Sequence, residues 1–161
     1  MTYQRIVVPL DGSLLSEYVF PQVERMATAF QSELTFLHIV PSGLEKSGVV
    51  QSGVVQSGEG AVREPTPSQM RAGADITRYL EDLQKQFELK GIRTHWTIRC
   101  GDPAEEIVWF VNEHQCDLVI MSTHGKGAPG AENMGSVAVD VLKHLHIPVV
   151  LVGVPAGVAN L

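Results

Sequence analysis

The sequence predicts an α/β fold, a three-layer open sheet of five parallel strands in the order 3-2-1-4-5, Rossmann-like. Short apolar runs rich in β-branched residues alternate one for one with amphipathic helical stretches, and most connections between them are short. Continuously apolar strands are buried on both faces, as in a parallel sheet covered by helices with right-handed crossovers.

The first strand is Ile6-Val7-Val8-Pro9-Leu10, stopped by the turn signal Asp11-Gly12-Ser13. Leu15, Val19, Val23, Met26 and Phe30 then form one stripe of a helix in which Pro21 is expected to introduce a kink. Glu33 to Val40 is the second strand. Ile76, Leu80, Leu83 and Phe87 mark a helix ending at Gly91, a suitable C′ residue, and Arg93 to Cys100 is the third strand. Asp102-Pro103-Ala104-Glu105 combines a cap, a proline suited to the first helical position and a capping-box acid, so a helix runs from there to about His114. Asp117 to Thr123 is the fourth strand, a Gly-rich loop covers His124 to Met134, a helix opens near Gly135-Ser136, and Val149 to Val154 is the fifth strand.

Ser42 to Pro67 breaks this rhythm: Ser47-Gly-Val-Val-Gln51 repeats as Ser52-Gly-Val-Val-Gln56 and is followed by Ser57-Gly58. It reads as a flexible insertion, residues 42–67, within one domain spanning 1–161; the competing reading is a small hairpin of edge strands.

At 161 residues with 44% hydrophobic content, the chain can bury roughly 70% of its unfolded surface without disulfide or metal staples. Eighteen acidic against twelve basic residues give a net charge of −6, which disfavours sequence-independent nucleic-acid binding. The longest apolar run is far too short to cross a bilayer, and the start of the chain carries no secretory signal pattern, so neither membrane nor export is expected. Cys100 and Cys116 lack CxxC spacing, and a reducing cytoplasm is the simplest compartment.

Ligands of open α/β sheets collect beyond the carboxyl ends of the strands, where neighbouring connections run to opposite faces. Here that switch point lies between the first and fourth strands. Gly125-Lys-Gly-Ala-Pro-Gly130, leading to Gly135-Ser136, is a loop whose backbone N–H groups could converge on a phosphate. Two near-matches fail. Gly130 to Ser136 has Walker A glycine spacing but serine in place of lysine, and the GxGxxG-like run at Gly125 neither opens a helix directly nor has an acid after the next strand. His114, Cys116, His144 and His146 do not share a face suited to a metal, and Ser13 lacks a nucleophile elbow.

The loop resembles that of universal stress proteins, whose nucleotide-binding pattern is Gly-x2-Gly-x9-Gly-Ser/Thr. Ser122-Thr-His-Gly125, nine residues, then Gly135-Ser136 fit every position except the first, where Ser122 replaces glycine. The flanks also match: Asp117-Leu-Val-Ile-Met before the loop, Pro148-Val-Val-Leu-Val after it, Ile6 to Ser13, Leu37-His-Ile39 and Gly101-Asp-Pro103. The resemblance implies an adenine nucleotide alpha hydrolase-like fold and a cytoplasmic homodimer that binds ATP or AMP, with Mg2+ as a companion ion, as a stress-response regulator without dedicated catalytic machinery. Carried over by position, Asp11 would face the ribose or adenine, Pro9 and Ile39 would wall the base, and Gly125, Lys126 and Gly127 would approach phosphates. Gly135, Ser136 and Val137 would finish the cradle, with Ser122 and His124 in the same loop. Ser122 would either crowd that approach or add a hydroxyl contact.

By local rules alone, Asp11 is better explained as a cap of the first helix or the stabiliser of its own turn, and only its place at the switch point favours a ligand role; the loop glycines are as well explained as ordinary loop residues. A dimeric interaction module of the same fold without nucleotide, and a weak ATPase, are the alternatives, and the protein partner is unknown. The last strand, apolar and at a sheet edge, is expected to pair with its copy in a second chain.

Overall fold

The computed structural model describes residues 2–41, 67–125 and 134–155, with the side chains of 41 and 67–74 excepted. Five strands, β1 (Arg5–Leu10), β2 (Glu33–Pro41), β3 (Thr94–Gly101), β4 (Leu118–Ser122) and β5 (Val149–Val152), form one sheet in the order β3-β2-β1-β4-β5. Every neighbouring pair is parallel, as the alternation of strands and helices predicts.

Successive side chains of a strand point to opposite faces, so each strand feeds two cores. Ile6, Val8, Leu10, Leu34, Phe36, Leu118 and Ile120 are buried beneath α1 (Phe20–Phe30) and α2 (Pro67–Glu88). Phe36, Phe20 and Phe87 meet there edge to face, with ring centroids 5.1–5.8 Å apart. Val7, Leu37, Ile39, Val119 and Met121 pack on the other face against α3 (Pro103–Glu113) and α4 (Ser136–His144). This double burial keeps Ile6 to Leu10 of β1 and Leu118 to Met121 of β4 apolar without alternation, whereas edge strand β3 alternates, with Trp96 and Ile98 packed on the first core and His95, Thr97 and Arg99 between and beside them.

The first helix differs from its sequence reading. Ser16–Val19 forms a single 3-10 turn and α1 begins at Phe20, leaving Pro21 within its first two positions. No kink results, because the N–H that proline lacks has no helical partner there. β5 stops at Val152 rather than Val154, since its partner β4 ends at the facing residue, Ser122.

Two helix boundaries match their sequence signals. Gly91 takes φ +80° beyond α2, with Ile92 N–H reaching back to Phe87 O at 3.1 Å, the bond expected of a C-terminal glycine cap. Asp102 Oδ1 accepts from Ala104 N at 3.0 Å and Glu105 N at 3.1 Å, capping α3 with Pro103 at its start. At the end of the sheet where β1 and β4 begin, Asp117 accepts from Gln4 N and Arg5 N at 2.8 and 3.1 Å and ties the two strands together. Cys100 and Cys116 are not joined in a disulfide. Among the described residues no helix is long and apolar enough to cross a membrane. The segment read as an insertion lies outside the described residues, apart from Pro67, which opens α2.

Candidate functional site

The carboxyl ends of β1 and β4 lie side by side at the centre of the sheet, where the chain leaves toward α1 on one face and α4 on the other. Asp11 follows β1 directly. Its Oδ1 accepts from Ser13 N at 2.9 Å and from Ser13 Oγ at 2.6 Å, an Asx turn that fixes the carboxylate. The turn-stabilising reading of Asp11 is therefore realised, and it uses one oxygen. The other, Oδ2, lies against Gly125, where any added Cβ would collide with it. Glycine at 125 is thus a requirement of close approach and not only of backbone freedom.

Pro9 and Ile39 fall on the α3/α4 side of the sheet by strand alternation: Pro9 is in register with Leu37, which packs there, and Ile39 follows two residues on. Ile39 is buried and Pro9 half-buried.

Ser122, the last residue of β4, is buried, and its Oγ donates to His124 O at 2.6 Å. His124 is 7% exposed. Its Nδ1 lies 2.8 Å from Thr123 Oγ1, while Nε2 is a buried polar atom without a hydrogen-bond partner among the described residues. Buried polar atoms are nearly always satisfied, so this one marks a position with unused bonding capacity.

Gly135 caps α4, and its N–H donates to Thr123 O at 2.8 Å, drawing the helix start onto the end of β4. A Cβ there would approach Thr123 O to 3.2 Å. Gly135 has no side chain to offer the first-turn amides of α4, and the N–H groups at Ser136 and Val137 belong to a helix N-terminus, where anions are favoured. Val137 also packs on the α3/α4 core. Contacts therefore run from Asp11 through Gly125 and His124 to Gly135. Lys126 and Gly127 lie outside the described residues.

Three supporting residues lie outside the site set expected from the sequence. Ser13 holds Asp11, as the Asp-Gly-Ser turn signal could have suggested. Thr123 receives Gly135 and orients His124. His38 is buried with Nδ1 2.9 Å from Leu10 O; a carbonyl only accepts, so Nδ1 carries the proton and pins the end of β1. Behind the Asp11 turn, Tyr79 donates to Glu17 Oε1 at 2.6 Å. Burial first, then the Glu17 carboxylate, pushes this phenol above its ordinary range, so it remains a neutral donor. Three further histidines make structural contacts: His95 pairs with Glu33 at 2.7 Å on the surface, while His114 and His144 bond carbonyls of their own helices. Among the described residues no three His, Cys, Asp or Glu side chains form a group suited to a metal.

The family model for universal stress proteins matches residues 2–153. A relative from Methanocaldococcus jannaschii, universal stress protein MJ0531, is 30% identical over 153 residues, covering 95% of this chain and 84% of the relative. Among solved structures, MJ0577 of the same organism superposes with a TM-score of 0.72 at 23% identity, covering 98% of this chain and all of the other. A universal stress protein in complex with cAMP superposes at 0.65 with 18% identity, covering 96% of this chain and 100% of the other. Sheet order, loop spacing and a family match over nearly the whole length agree, and the chain belongs to the universal stress protein family.

Proposed function

We propose that this protein binds an adenine nucleotide, ATP or AMP, at the carboxyl ends of β1, β2 and β4, and acts as a stress-response regulator through the bound state. The observation that carries this reading is the convergence of the Asp11 carboxylate, Gly125 and the start of α4 on one loop. A carboxylate is an acceptor for ribose hydroxyls or an adenine amino group, whereas the amides of a helix N-terminus attract phosphate oxygens. The site thus offers opposite polarity to the two ends of a nucleotide. Pro9 and Ile39 wall the base; Ser136 and Val137 serve the phosphates, joined by Lys126 and Gly127. The cAMP complex of a relative of the same fold agrees with that ligand class. Mg2+ would accompany a triphosphate, held by its oxygens. No side chain of the site is assigned catalytic work beyond slow hydrolysis of a bound triphosphate.

The active unit is a cytoplasmic homodimer formed through β5. All four β5 residues are only half-buried, and Leu142 on neighbouring α4 is 42% exposed, so an apolar edge stands ready for the same edge of a second copy. This surface equally favours an interaction module that works without nucleotide. Native mass spectrometry of protein purified without added nucleotide separates the two. Retained ATP or AMP is expected; a dimer that carries none and takes up none when it is supplied would leave the interaction module.

A further inference from the structure

Ser122 stands where the family loop has its first glycine, and its hydroxyl neither faces solvent nor stays idle. Oγ donates to His124 O across one intervening residue, in a position only 9% exposed. A peptide unit is planar and trans, so its C=O and the following N–H point in opposite directions. Anchoring His124 O on Ser122 therefore turns the Gly125 N–H away from Ser122. Gly125 is the residue packed on Asp11, and among the described residues none accepts from its N–H. The same anchor fixes the backbone carrying His124, whose Nδ1 is engaged by Thr123 and whose buried Nε2 lacks a partner among the described residues. Glycine at 122 would leave that peptide plane free to rotate.

We propose that Ser122 is a positioning residue: its bond to His124 O presets the His124–Gly125 peptide so that the Gly125 N–H is oriented for an anionic oxygen of the ligand. Ser122 itself does not touch the ligand. In the tautomer in which the Thr123 hydroxyl donates to Nδ1, His124 Nε2–H is a second donor of the same loop, and a phosphate oxygen is the group both suit. The proposal rests on the nucleotide reading for its ligand, but its conformational half stands without it. Preorganisation of this kind acts on affinity by removing an ordering cost at binding.

The test compares the full chain with Ser122→Ala, Ser122→Gly and Ser122→Thr, the last keeping the hydroxyl. In nucleotide-free protein, 15N relaxation should give Gly125 a backbone order parameter near the rigid value of about 0.85, falling toward about 0.6 in the Ala and Gly variants and restored by Thr. Calorimetry with ATP and AMP should then show about three- to tenfold weaker binding for Ala and Gly, and Thr within about twofold of wild type. A merely structural role would lower the melting temperature without this affinity pattern. An unchanged Gly125 order parameter in Ser122→Ala, or Ser122→Gly binding as tightly as wild type, overturns the proposal. Wild type that binds neither nucleotide overturns the nucleotide reading instead, and the relaxation series still decides whether Ser122 holds the peptide.

Discussion

Asp11 and Gly125 are in such close contact that a Cβ at position 125 would overlap Asp11 Oδ2. The pair joins the end of β1 to the loop after β4 and makes the two sides of the switch point a single unit. Gly125→Ala should therefore displace the carboxylate, while Gly125→Ala with Asp11→Ala should recover part of the lost stability. A double-mutant cycle by denaturant unfolding should give a coupling of about 1 kcal/mol, within the range of contacting residues. Additive effects would mean that the contact does not constrain the loop.

Gly135 presents a related but milder constraint. Its Cβ would sit 3.2 Å from Thr123 O, tight but open to adjustment, whereas a branched side chain adds bulk beside the amide that draws α4 onto β4. Gly135→Val is expected to lower stability by about 1–3 kcal/mol and to reduce nucleotide affinity more than tenfold. Retention of full affinity would place the phosphate site elsewhere.

Most of the fold was legible because its signals are local and redundant. Double burial leaves uninterrupted apolar runs in β1 and β4, and Asp102-Pro103 and Gly91 mark helix boundaries by backbone chemistry alone. The misreading at Pro21 has the same origin: a stripe begun at Leu15 continues the helical period through a 3-10 turn, so the proline appears internal when it is initial. At the site, the glycine spacing and Asp11 could be read from the chain. The bond from Ser122 to His124 O could not, because serine at that position is compatible with either a ligand contact or an internal one. The support from His38 and Thr123 was hidden for a similar reason: it runs through backbone groups, Leu10 O for His38 and the Thr123 carbonyl that accepts from Gly135 N, which have no sequence signature.

Asp102 provides a stability test independent of the ligand. It satisfies two first-turn amides of α3, and Asp102→Ala should cost about 1 kcal/mol while leaving nucleotide affinity unchanged. Thermal unfolding and calorimetry on the same sample check both halves.

Cys116 is buried just before β4, and burial first, then the adjacent Asp117 carboxylate, pushes its thiol up to about 11, against a partial opposing effect of Arg5. A thiol whose pKa is raised by folding favours the folded state fully below the unfolded value near 9 and loses that contribution as pH rises toward 11. Cys116 should therefore resist iodoacetamide at pH 8 in native protein and react readily in urea. Stability lost between pH 9 and 11 should be smaller in Cys116→Ala. Rapid native alkylation of Cys116, resolved by peptide mapping, would contradict the burial.

The β5 edge can be challenged at Gly153, where an added Cβ meets nothing within 4 Å and so leaves the monomer undisturbed. Gly153→Lys should weaken a β5-mediated dimer at least tenfold by placing like charges at the edge. Sedimentation equilibrium of both proteins reads this out, and a dimer indifferent to the substitution would have a different interface.

The most direct measurement is calorimetry of ATP, ADP and AMP against nucleotide-stripped protein, with Gly135→Val and Asp11→Ala alongside and circular dichroism to establish folding. Saturable binding of ATP or AMP to wild type, lost in Gly135→Val and weakened in Asp11→Ala, is the predicted result. A folded, nucleotide-free wild type that gives no binding heat with any of the three, and no shift in melting temperature on their addition, would contradict it.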